Sequence, residues 1–113
     1  MLTLLLLIFL SETNEIVIKK EVVVIEGIVS GYSSEVGQTD STPFTMANNK
    51  RVRDGVIANN CLPFGTKVVI AGKEYEVSDR MNRRYDCSHW DIWFSDRSLA
   101  LEFGRQNKYI LIK

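Results

Sequence analysis

Nine of the seventeen residues from Glu15 to Gly31 are valine or isoleucine: Ile16, Val17, Ile18, Val22, Val23, Val24, Ile25, Ile28 and Val29. Branching at Cβ stiffens χ1 and favours the pleated strand over the helix. Gly27 and Gly31 interrupt the run, which marks a bulge or turn and then an exit into a loop. Shorter strands are expected at Val52–Ala58, Lys67–Ile70, Glu74–Val77, Asp91–Phe94 and Tyr109–Ile112. Ala71-Gly72 reads as a hairpin turn, with Tyr75 and Val77 on one face of the returning strand. Asn59-Asn60 reads as a turn, and Arg80–Ser88 as a polar loop. Ser95 or Asp96 caps a helix over 97–105 whose Leu99, Ala100 and Phe103 face inward. Six or seven strands this short, with a turn every ten or so residues, predict a small closed β-barrel rather than a layered α/β sheet.

The chain has 113 residues, 45% of them apolar, which suits one domain with its own core. Fourteen basic and fourteen acidic residues cancel, so the basic surface that nucleic acid requires is missing. Lys50–Arg53 and Arg83-Arg84 read as solvated surface. Met1–Leu10 is an uncharged apolar run, short of the ~20 residues that span a bilayer but of the length of a signal-peptide core. Residues 1–14 are therefore set aside as a truncated signal-like or anchor segment with its linker, and 15–113 form the domain. Export is expected, with membrane attachment through the apolar run as one form of it. A buried N-terminal strand or helix is the plainer alternative. Cys61 and Cys87 fit a single disulfide in an exported protein. A metal site with His89, or a Cys-His nucleophile, is the weaker alternative for the same residues.

Residues 32–50 are polar and turn-rich, anchored by Pro43-Phe44, and a loop of that length in a small domain is usually functional. It holds the first of three aspartates in turn-rich patches: Asp40 in Thr39–Phe44, Asp79 in Val77–Asn82, and Asp91 in His89–Phe94. A carboxyl beside a tryptophan or in a crowded pocket keeps its proton toward neutral pH, as a general acid for glycosidic cleavage must. Asp54, Asp86 and Asp96 read as turn or cap residues.

Several separated blocks then line up. They are Gly31–Ser34, Thr39–Thr45, Arg51–Gly55, Leu62–Thr66, Asp79–Tyr85 and Asp91–Phe94, followed by Ala100 and Phe103-Gly104. Over about two-thirds of its length the chain resembles the 3D domain, the three-aspartate bacterial cell-wall module. The resemblance implies a mainly β fold, a six-stranded double-psi β-barrel with one or two short helices. It also implies kinship with MltA-type lytic transglycosylases and, more distantly, with rare lipoprotein A and the expansins. The chain departs from the family pattern after Thr45, where Met46–Lys50 replaces a small residue and glycine. Asparagine can take the left-handed backbone that glycine usually takes there, though less easily.

The three aspartates of the family fall on Asp40, Asp79 and Asp91. In the expected reaction one carboxyl protonates the bridging oxygen between N-acetylmuramic acid and N-acetylglucosamine. The sugar's own C6 hydroxyl attacks, and a 1,6-anhydro end results. Asp91 is assigned as the acid, with Asp79 stabilising charge or orienting it, and Asp40 fixing substrate or loop. Trp90 and Trp93 are expected to share the strand face opposite Asp91, so that only loop geometry brings them to shield it. Substrate contacts are expected from Tyr32, Thr42, Arg80, Asn82, Trp90 and Trp93. The partner is the peptidoglycan glycan strand, outside the cytoplasmic membrane, acted on by a monomer without metal or cofactor. An expansin-like module that binds polysaccharide without cleaving it is the alternative, and a wall-contacting structural or phage-associated plug is a third reading.

Overall fold

The computed structural model describes residues 2–10, 16–34 and 44–113. Seven strands and one helix occur in order: β1 Leu2–Leu10, β2 Ile16–Tyr32, β3 Val56–Ala58, β4 Lys67–Ile70, β5 Lys73–Asp79, β6 His89–Trp93, α1 Arg97–Phe103 and β7 Gln106–Ile112. Six of them close into a barrel in the order β2-β6-β3-β5-β4-β7, and β7 pairs back onto β2. The pairs β2/β6 and β3/β5 are parallel and lie on either side of the antiparallel contact β6/β3. Closure removes the unpaired edges that an open sheet of short strands would leave exposed. The mainly β barrel with one short helix is the fold the sequence predicts.

The barrel interior is filled by Val29, Ile57, Val68, Ile70, Tyr75, Val77, Trp90, Ile92 and Ile110. Alternation along each strand sends these inward, as in β5, where Tyr75 and Val77 are buried and Glu74 and Glu76 are not. The hairpin between β4 and β5 turns on Ala71 and Gly72, both at positive φ (50° and 80°), as a two-residue turn of matching twist demands. The strand expected from Val52 begins only at Val56, after Gly55 at φ 87°.

Helix α1 is capped by the Asp96 side chain, which accepts from the Ser98 N–H, and ends at Gly104 with φ 67°. It is two residues shorter than expected and buries only Ala100, with Phe103 half-buried against Phe94 at 5.5 Å between ring centroids. Leu99, expected to face inward, is 46% exposed. A three-residue spacing keeps 100 and 103 on one stripe and turns 99 off it. The helix sits close because Gly31 lacks a side chain: a Cβ there would lie 2.6 Å from the Phe94 ring and 3.2 Å from the Ala100 Cα.

The sequence set residues 1–14 outside the fold, yet Leu2–Leu10 pairs antiparallel with Ile16–Ile25 of β2, with a register irregularity between Leu7 and Ile8. β7 takes up β2 only from Val23 onward. Residues 16–22 of β2 and their β1 partners therefore form a two-stranded ribbon beyond the barrel.

Candidate functional site

Strand register brings two of the three aspartates together. Ala58, at the end of β3, is paired with Asp91 of β6 on one side and with Asp79 of β5 on the other. Ser30 of β2 lies next to Asp91 in turn. Laterally paired residues leave a sheet on the same face, so Ser30, Asp91, Ala58 and Asp79 form one row across four strands. Ala58 contributes only a methyl to this row and is itself covered, at 2% exposure, while the Tyr32 side chain reaches from β2 to Asp79.

Asp79 reaches that face through a bulge. Ile57 pairs with Val77, but Ala58 pairs with Asp79, so Ser78 is the extra residue. In an unbulged strand of the same sequence, Asp79 would share the inward parity of Tyr75 and Val77. One inserted residue reverses the face of every strand residue C-terminal to it.

Three donors converge on Asp79. Tyr32 Oη donates to Oδ2 at 2.8 Å, and the backbone N–H groups of Ala47 and Arg80 each donate to Oδ1 at 2.9 Å. The Ala47 contact comes from a tight turn over 46–50. Its Met46 is buried, and Asn49 takes φ 66° while donating its N–H to the Met46 carbonyl. Asparagine thus supplies the left-handed residue of this turn.

Among the described residues Asp91 has one donor, the Ser30 hydroxyl, at 3.1 Å from Oδ1. Burial pushes its carboxyl up to about 7, the Ser30 hydrogen bond offsets part of that rise, and the nearby Asp79 charge adds to it. Tyr32 is also pushed up, first by burial and then by Asp79 and Asp91, so it stays a neutral donor. Tyr32 therefore feels both carboxyls while donating to one.

The remaining expected residues divide. Trp93 shares the face of Asp91, two positions away, and its indole N–H donates to Ser34 Oγ at 2.8 Å. Trp90 alone points the opposite way, 1% exposed in the core, which corrects the expectation that both tryptophans oppose Asp91 and leaves Trp90 no ring face for a sugar. Arg80 stacks its guanidinium 3.9 Å above the Phe64 ring and donates to the Asn59 carbonyl at 2.7 Å. Asn82 is exposed and closes a turn by accepting from the Arg84 N–H. Asp40 and Thr42 lie outside the described residues. His89 opens β6 and pairs its ring with Asp86 at 3.0 Å.

Two further groups escaped sequence reasoning. Ser30 carried no motif. Asn59 read as a turn residue, but it is 1% exposed and ties the segments that bear both carboxyls. Its amide donates to the Cys87 and His89 carbonyls and accepts from the Cys61 and Leu62 N–H groups; its backbone N–H donates to the Asp79 carbonyl. Asn60 does likewise for the 80–88 loop, bonding Met81 N–H and the Asn82 and Tyr85 carbonyls. Cys61 and Cys87 are joined by a disulfide with Cα atoms 5.4 Å apart, which removes both from nucleophilic or metal-binding roles. Among the described residues no group of three or more His, Cys, Asp or Glu is placed to hold a metal ion.

A scan against protein-family models and a search of curated proteins both return no match to this chain.

Proposed function

We propose that this protein cleaves peptidoglycan glycan strands outside the cytoplasmic membrane as a lytic transglycosylase-like enzyme, with Asp91 as general acid and Asp79 as its ionic partner. The observation that carries the reading is the row Ser30–Asp91–Ala58–Asp79. It sets a half-buried carboxyl that holds its proton to about pH 7 beside a second one held by three donors.

Asp91 passes its proton to the oxygen between the sugars, and the C1–O pair leaves with that oxygen. Positive charge then develops at C1 and the ring oxygen, and the Asp79 carboxylate stabilises it across the width of Ala58. The C6 hydroxyl of the same sugar attacks C1, and Asp91, now a carboxylate, takes the hydroxyl proton back. One residue serves as acid and then base, so no second water-activating carboxylate is required. Trp93 on the same face offers an apolar surface to a sugar ring.

Asp91→Asn and Asp79→Asn, tested separately on purified sacculi, should each lower release of 1,6-anhydro-muropeptides by at least about 100-fold while leaving sacculus binding in place. Wild-type cleavage by both variants would remove the assignment. Binding by the parent with no product at high protein load would favour the expansin-like polysaccharide-binding reading.

A further inference from the structure

We propose that Ser30 is a positioning residue for Asp91: its hydroxyl holds Oδ1, so that the transferable proton is carried on Oδ2. The inference rests on the reading of Asp91 as the acid. The Ser30 Oγ lies 3.1 Å from Asp91 Oδ1 and 3.4 Å from the Trp90 carbonyl, and β2 and β6 hold the two residues in register. Among the described residues, Oδ2 has no hydrogen-bond partner. A carboxylic acid whose Oδ1 accepts a hydrogen bond keeps its proton on the other oxygen. The donor thus selects one of two otherwise equivalent proton positions and restrains the carboxyl rotation.

The other groups around Asp91 do not supply this. Tyr32, from β2, gives its hydroxyl to Asp79. Asp79, from β5, contributes charge but no donor. His89, on the same strand, turns its ring to Asp86 and Tyr85. Arg80 is engaged by Asn59 and Phe64. Ala58, from β3, has no polar atom in its side chain. Ser30 is therefore the one described side chain that donates to Asp91. It acts in both halves of the cycle, orienting the acid and then stabilising the carboxylate left by proton transfer.

The test tracks the Asp91 carboxyl by carbon-13 NMR titration in the parent, Ser30→Ala and Ser30→Thr, alongside the pH profile of anhydro-muropeptide release. Loss of a donor to the charged form should raise the Asp91 midpoint by about half to one pH unit in Ser30→Ala, and the hydroxyl of Ser30→Thr should restore it. The descending limb of the rate profile should move with it, while the maximal rate in Ser30→Ala falls about 5- to 20-fold. Should Ser30→Ala fail to fold, Ser30→Cys, of similar size but a much weaker donor, should give the same upward shift. An unchanged midpoint in a folded Ala or Cys variant overturns the proposal even if the parent cleaves sacculi. A shifted midpoint supports the Ser30–Asp91 link even if the parent releases no anhydro product, an outcome that would sink the enzymatic reading alone.

Discussion

At the scale of the residue, Asp91 strains the fold it serves. Its carboxyl titrates at about 7 in the native protein against an ordinary value of 3.8, mainly because burial opposes the charge. The folded state therefore binds the proton more tightly than the unfolded chain. Stability is unaffected by Asp91 below about pH 4, declines as pH rises through the interval up to about 7, and bears the full penalty above it. Asp91→Asn carries no such charge and can still accept from Ser30. The variant should match the parent near pH 4 and exceed it by about 2 kcal/mol at pH 8, a discounted share of the full shift, in thermal or urea unfolding. An equal gap at both pH values would mean that Asp91 is not buried with a raised proton affinity. Tyr32→Phe tests the other carboxyl. It removes one of three donors from Asp79 and should cost about 1–2 kcal/mol at neutral pH.

Elements explain why part of the site was legible in the sequence and part was not. Val and Ile density, the Ala71-Gly72 turn and the Asp96 cap announce strands, hairpin and helix through local chemistry, which a linear reading captures. The Ser78 bulge is different, because it exists only relative to the pairing of β5 with β3. No local signal distinguishes Ser78 from any strand serine, yet it decides whether Asp79 faces the core or Asp91. The placement of the two tryptophans failed for a simpler reason: positions three apart on a strand lie on opposite faces, and His89–Trp93 is a regular strand. Deleting Ser78 would remove the bulge and place Asp79 directly after Val77 and opposite Ala58, so Asp79 should keep the face of Asp91. Asn59→Ala would leave four backbone groups without their partners and should cost about 3 kcal/mol by urea unfolding. Reducing the Cys61–Cys87 bond should cost about 3 kcal/mol more, given the 26-residue separation it closes.

For the molecule as a whole, the barrel and the ribbon are separable in principle. Ring closure runs from β7 to β2 and does not pass through β1. The described core residues come from β2 onward, the first of them being Val29. A chain beginning at Glu15 should therefore keep the barrel: its near-ultraviolet circular dichroism should be unchanged and its Tm should lie within about 3 °C of the parent. A large loss would show that the β1 pairing supports the barrel. The apolar character of Met1–Leu10 was plain in the sequence. Its pairing with β2 was not, because a run of leucines fixes neither a strand nor its register.

The three-residue strand β3 also acts as a ruler. The acids stand on its two flanks, so their backbones are two interstrand intervals apart, roughly 10 Å. Hydrogen-bonded sheet geometry sets that interval, and changes in the surrounding loops do not alter it. On the proposed reading, loop variation retunes which saccharide is gripped, and how firmly, while the gauge between proton source and counter-charge stays fixed.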